Sequence, residues 1–293
     1  MPVPSQPLRV GEMLSLTYRF MRAHAAATLG IGALLATVTA TVSGVVMDGI
    51  VMQSDAVKTW NAGTGQAVTA AMLEDLQSAT RASLPWLVLV LAVSFAVQLA
   101  ATGVMTLAVI REDRGETVQP AELWREVPWR RLIGINALIV GLILLAAIGP
   151  IALAMLSDTF ILAGLGVMIA SSIIIALGTS LAVPAAMRED LGARAAVARS
   201  LQLMRRAWLR TGGLLVLTNL MWSSIGNFIA TPVGAIAGAL GGGPRSTVGQ
   251  TLETLLANIA SGAIALPGIA IMTTLVYFDR VARTTPPETG IDQ

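Results

Sequence analysis

The sequence predicts an all-α polytopic membrane protein with six transmembrane helices, and three observations carry that prediction. Hydrophobic residues make up 55% of the 293 residues and charged residues only 12%, with a mean hydropathy of +0.73; soluble domains carry about 25% charged residues. Apolar stretches of about 20 residues, the length that crosses a bilayer core, recur six times. The basic residues, 18 Arg and Lys58, are distributed very unevenly between the alternate loops.

Taken in order, the spans are expected near residues 25–50, 86–110, 133–156, 159–187, 213–240 and 251–278. The first follows an amphipathic lead containing Arg9, Arg19 and Arg22 and is too long for the apolar region of a signal peptide, so it is expected to stay attached. Sixteen basic residues fall in the lead and the even-numbered exits, against three (Lys58, Arg81, Arg245) on the other side. Cytoplasmic loops retain Lys and Arg, which predicts that both termini are cytoplasmic. The outer segment from Met52 to Pro85 has room for a short amphipathic helix through Val68, Met72 and Leu76. The turn at Asp158 is minimal and Gly241 to Pro244 reads as a flexible link. Pro150, Pro184, Pro232 and Pro267 lie within or at the ends of spans and remove backbone hydrogen bonds there. Gly141, Gly164, Gly166, Gly234 and Gly238 are small enough to let helices approach closely.

The inner loops repeat. Arg111-Glu-Asp-Arg-Gly115 and Arg188-Glu-Asp-Leu-Gly192 follow even-numbered spans, with Tyr277-Phe-Asp-Arg280 a weaker echo. An aromatic followed two residues later by Arg introduces each odd span: Phe20 and Arg22, Trp129 and Arg131, Trp208 and Arg210. This implies a single membrane domain of three units, near 10–110, 111–187 and 188–280, with residues 281–293 a flexible cytoplasmic tail. Each unit is expected to begin with an amphipathic helix on the inner leaflet. Between Gly192 and Arg210, Val197, Leu201, Met204 and Trp208 fall within an arc of about 60° at 100° per residue. Arg199, Arg206 and Arg210 lie opposite, where guanidinium groups would meet anionic lipid headgroups. In the second unit, Pro120 suits a first helical turn and Pro128 ends a short helix.

No Asp, Glu, Lys, Arg or His lies well inside a span, the usual mark of a proton- or sodium-coupled carrier. Uncharged polar residues do: Gln98, Thr102, Asn136, Asn219, Ser223, Ser224, Asn227, Asn258 and Ser261. Asn219, Ser223 and Asn227 share one helix face and could line a polar cleft, or could hydrogen-bond between helices. Zero Cys excludes disulfides, thiolate chemistry and Cys-type metal sites, and one His (His24) excludes a multi-histidine site. No metal or other cofactor is expected, nor catalysis, although Glu112, Asp113, Glu189, Asp190 and Asp279 could in principle converge. The Arg residues lie close to the spans, so nucleic-acid binding is not expected.

Pro7-Leu-Arg-Val-Gly-Glu-Met-Leu14 with Tyr18-Arg-Phe20, then Arg188-Glu-Asp-Leu-Gly192 with Ser200 and Met204-Arg-Arg-Ala-Trp208, and finally Tyr277-Phe-Asp-Arg280, resemble the bacterial six-span family named the membrane domain of glycerophosphoryl diester phosphodiesterases. In members joined to a phosphodiesterase barrel, that barrel carries the catalytic acids and His residues. None is expected in this chain, so the resemblance implies a membrane region without the enzymatic activity. Two readings follow: a non-enzymatic envelope or lipid-associated scaffold with lipid, a membrane-protein partner or a second copy bound, and a transporter or lipid-translocating permease with a cleft between units. The composition favours the first.

The absence of native Cys makes the topology directly testable. In intact cells, a membrane-impermeant maleimide should label Thr64→Cys and Ser246→Cys but not Ala121→Cys or Ala198→Cys, and labelling of either inner position would reverse the orientation.

Overall fold

The computed structural model describes residues 8–46, 70–156, 161–205, 207–243 and 246–284. Ten helices run through them: α1 (Val10–Ala23), α2 (Ala25–Val46), α3 (Ala70–Asp113), α4 (Pro120–Glu126), α5 (Trp129–Leu156), α6 (Ile161–Thr179), α7 (Ala182–Arg188), α8 (Ala193–Arg205), α9 (Trp208–Leu240) and α10 (Thr247–Thr284). Six stretches are long and apolar enough to cross a membrane: Ala25–Gly44, Leu89–Asp113, Trp129–Gly149, Ile169–Arg188, Trp208–Leu240 and Val248–Thr284. The protein is an all-α, multi-pass membrane protein.

The even spans form the interior. They are buried over 67%, 44% and 56% of their most apolar stretch, whereas the first, third and fifth are buried over 39%, 22% and 28%. Val104 and Met105 of α3, Leu181 and Val183 at α7, and Met272 and Tyr277 of α10 are all essentially inaccessible. The Thr106 and Thr274 hydroxyls share a hydrogen bond of 2.8 Å between α3 and α10. The short helices α1, α4 and α8 lie at the Arg-rich end of the bundle.

The closest packing surrounds α10, which lies against both α2 and α9. Helices in lipid gain little from apolar contact alone, because lipid tails are equally apolar, so close backbone approach becomes the main source of attraction. A Cβ at Gly32 would sit 2.5 Å from the Ala263 carbonyl oxygen, and one at Gly262 would sit 2.5 Å from the Ala36 Cβ. On the α9 side, a Cβ at Gly226 would sit 2.7 Å from the Ser261 carbonyl oxygen, one at Gly241 would sit 2.7 Å from the Gly249 Cα, and one at Gly268 would collide with the Trp222 ring. Of the glycines expected to allow close approach, Gly234 and Gly238 do so against Ala257 and Glu253. Gly141 and Gly166 face open space.

Several expectations require correction. The outer segment up to Pro85, expected to hold a short amphipathic helix, is helical from Ala70 and runs on through Pro85 into the second span as one helix, Ala70–Asp113. Residues 47–69, which include Val68, lie outside the described residues, as do Asp158, Pro244 and Arg206. The amphipathic segment expected to run from Gly192 to Arg210 is two elements: α8 ends at Arg205, and Trp208 opens α9. Residues 281–284, expected in a flexible tail, complete the last turn of α10, where the Thr284 hydroxyl donates to the Arg280 carbonyl at 3.0 Å.

Gly262→Leu should therefore destabilise the bundle by at least ~2 kcal/mol, because the side chain must push α2 away from α10. Gly141→Leu, entering open space, should change the thermal denaturation midpoint in detergent very little. Equal midpoints for the two variants would refute the close-packing account.

Candidate functional site

The fourth span is broken in its middle. Pro184 has no N–H, so the Ser180 carbonyl loses its helical donor, and the chain turns at Ser180 and Leu181 before α7 resumes. Ser200 of α8 repairs the break. Its Oγ donates to the Gly178 carbonyl at 2.7 Å and accepts the Leu181 N–H at 3.2 Å. It does so with no exposure to solvent. An interrupted membrane helix is tolerated where protein satisfies the freed groups or where it lines a cavity. Here both conditions hold.

Beside the break is a cleft of about 470 Å³, lined from α3 by Phe95, Gln98, Leu99 and Thr102, from α5 by Ile139, from α6 by Ile173, Ala176, Leu177 and Thr179, by Ser180 itself, from α9 by Leu215, Val216, Asn219 and Leu220, and from α10 by Ile269 and Thr273. Its outer edge lies between α6 and α9, which touch only sparsely. Ile173 and Leu220 on that edge are half or more exposed, so the cleft faces sideways into the apolar slab. The polar groups are two carboxamides and four hydroxyls. No lining residue is charged.

Four of these residues carry hydroxyl protons already spent on backbone carbonyls. Thr102 donates to Gln98, Thr179 to Ile175 and Thr273 to Ile269, each at 2.8 Å, and Ser180 donates to Leu177 at 2.7 Å. The carboxamides of Gln98 and Asn219 have no hydrogen-bond partner among the described residues.

Comparison with protein-family models, curated proteins and solved structures found no match.

The three residues expected to form a polar cleft separate. Asn219 lines it, Ser223 is half-buried outside its lining, and Asn227 accepts a hydrogen bond from Ser261 at 3.0 Å, joining α9 to α10. Thr179, Ser180 and Thr273 were not singled out from the sequence. The available signal was Thr179-Ser180 one turn before Pro184, inside a span. A second crevice of about 280 Å³ between α2, α3 and α5 is almost wholly apolar and contains Asn136.

The residues expected at the lipid interface have largely packed against protein. Phe20 is buried, with its ring 4.9 Å from that of His24, whose Nε2 lies 3.4 Å from Glu112 Oε2. Trp129 donates from Nε1 to the Trp124 carbonyl at 2.9 Å, and Trp208 packs beside Gly178. On the apolar face of α8, Ala196, Val197, Leu203 and Met204 are buried inside the protein, whereas Leu201 is exposed. Of the cations, Arg131 pairs with Asp190 and Arg199 with Glu189 at 3.1 Å, while Arg22 and Arg210 are exposed and make no ion pair among the described residues. Glu189 also accepts the Tyr277 hydroxyl at 2.7 Å.

The carboxylates do not converge: Asp279 takes the Leu8 N–H at 2.9 Å and Arg283 at 2.8 Å. Among the described residues no group of three or more acidic or His side chains could hold a metal. Arg131, through its hydrogen bond and then its charge, holds the exposed Asp190 carboxyl below the usual range. That contact is present above the ordinary carboxylate pKa and lost as pH falls through the lowered one. At this exposure it contributes little stability.

Ser200→Ala leaves the Leu181 N–H and the Gly178 carbonyl buried without partners, and should cost about 2 kcal/mol. Ser224→Ala, at an exposed position, should be neutral. Thermal denaturation in detergent compares the two, and an unshifted Ser200→Ala midpoint would mean that the break does not need its patch.

Proposed function

We propose that this chain is a non-enzymatic lipid-handling permease of the bacterial inner membrane, which admits a membrane amphiphile sideways between α6 and α9. The observation that carries this reading over a passive scaffold is the uncharged polar cleft beside a broken span. Interrupted helices lining a cavity near mid-membrane are a recurrent way of building transporter binding sites, and a cleft of this volume is within the usual range for ligand pockets. The lack of charge in its lining argues for an amphiphile over an ion as cargo.

The orientation, with both termini cytoplasmic, rests on the basic asymmetry of the sequence. In that orientation Arg22 and Arg210 are available to anionic headgroups at the inner leaflet, each contributing on the order of 1 kcal/mol. The order of short helix followed by two spans, met three times along the chain, supports an internal triplication. The cleft then falls between the second and third units with the first as its inner wall. The resemblance to the phosphodiesterase-associated membrane domains is compatible with this reading, since it concerns the membrane region alone.

Lipid retained through mild-detergent purification tests the proposal. Ala176→Trp places a large ring in the cleft and should reduce specifically retained lipid, measured by mass spectrometry, at least threefold. Leu145→Trp, at a strongly exposed position on α5, should leave it unchanged. Equal retention in both variants and the wild type would return the protein to the scaffold reading.

A further inference from the structure

We infer that the amphiphile is an uncharged lipid with hydroxyl groups on its head, of the glycosyl-diacylglycerol or diacylglycerol class, recognised by Gln98 and Asn219 together with the hydroxyls of α3, α6 and α10. The inference rests on the cleft being a lipid site and identifies what that site selects.

What the wall can accept and donate limits what it can bind. Each of Thr102, Thr179, Thr273 and Ser180 has its only proton committed to a carbonyl of its own helix or turn, so towards a ligand these hydroxyls act as acceptors. The Ser180 carbonyl, deprived of its donor by Pro184, adds another acceptor at the same place. Gln98 and Asn219 each bring two N–H donors and one carbonyl oxygen. The wall is therefore rich in acceptors, with a smaller set of donors, and its best partner carries one or more groups that both donate and accept. Hydroxyls do this. A phosphodiester or a quinone carbonyl only accepts, and would leave the four hydroxyl acceptors unmatched.

Charge excludes the phosphodiester independently. A phosphate entering the cleft would meet no cation in the lining, and burial of an unpaired charge in apolar surroundings is strongly unfavourable. The nearest basic residues on the lining helices are remote or already engaged. Arg210 lies nine residues before Asn219, ~14 Å along the helix. Arg280 is buried, with its guanidinium on the Leu203 carbonyl at 3.1 Å. The apolar part of the wall, Phe95, Ile173, Leu220 and Ile269, together with the opening between α6 and α9, provides for acyl chains to remain in the slab while the head is bound.

The test uses the full-length protein in phosphatidylcholine nanodiscs. These are doped in turn with dioleoylglycerol, monoglucosyl-diacylglycerol or phosphatidylglycerol, each carrying an acyl-chain diazirine, and crosslinked peptides are mapped by mass spectrometry. The two neutral lipids should label the α6 and α9 walls at least fivefold more than phosphatidylglycerol, whose head carries hydroxyls but also a charge, and Gln98→Leu or Asn219→Leu should abolish most of that preference. The stronger of the two neutral probes identifies whether a sugar or a glycerol hydroxyl is the source. Comparison of probes on the wild type does not depend on the folding of any variant. Cleft labelling by phosphatidylglycerol equal to that of the neutral lipids would overturn the headgroup assignment while leaving the cleft reading intact. Labelling of the cleft no greater than labelling around Leu145, and unaffected by Ala176→Trp, would overturn both.

Discussion

The backbone contact of α10 with its two neighbours is the constraint on which the rest of this bundle depends. Without water to drive apolar surfaces together, a helix in lipid must obtain its attraction from dense contact, and α10 obtains it where side chains are missing: Gly32 and Gly262 on the α2 side, and Gly226, Gly241, Gly249 and Gly268 on the α9 side. This places α10 between the first and fifth spans and leaves its remaining surface for α3. The α9 helix is held so closely by α10 that its other flank is not drawn onto α6. The cleft is the space that results, and it persists because one of its walls is fixed by packing elsewhere.

Its chemistry comes from a local defect. A regular fourth span would turn all its carbonyls inward on themselves. The proline at 184 prevents that, and the turn at Ser180 and Leu181 brings polar backbone and two side-chain hydroxyls to the inside of the bundle. Ser200 reaches from a helix outside the span to satisfy the two groups that face away from the cleft. Support on one side of the break and open lining on the other make the interruption compatible with a stable protein. They also tie the position of α8 to the shape of the cleft.

Much of the architecture was legible in the sequence, because span length, basic asymmetry and Pro or Gly punctuation are local signals. The six spans and the short, Pro120-initiated α4 follow directly from them. The site was only partly legible. Asn219 was readable as a polar residue on an apolar helix, but whether it would meet a cavity or another helix depends on the rotation of α9. That rotation is fixed by glycines such as Gly226, which carry no hydrophobic pattern. For the same reason Asn227 became an interhelical bond to Ser261. The expected lipid-facing stripe of α8 is divided, with Leu201 exposed, because periodicity reports that a face is apolar without saying whether lipid or protein covers it. Val197 and Met204 are covered by protein. Likewise Arg131 and Arg199 found carboxylates in the Arg-Glu-Asp exit of the fourth span, a pairing that depends on tertiary proximity and has no sequence spacing of its own.

The central claim is that tight packing at α10 and an open, lipid-accessible cleft between α6 and α9 coexist in one structure. An electron cryo-microscopy reconstruction of the full chain in nanodiscs made from native lipid tests both halves at once. The account predicts the Gly262 backbone against Ala36, the Gly226 backbone against Ser261, and elongated density entering between Ile173 and Leu220 to end beside Gln98 and Asn219. A reconstruction in which α6 and α9 pack flush with no density between them, or in which lipid separates α10 from α2, would contradict it.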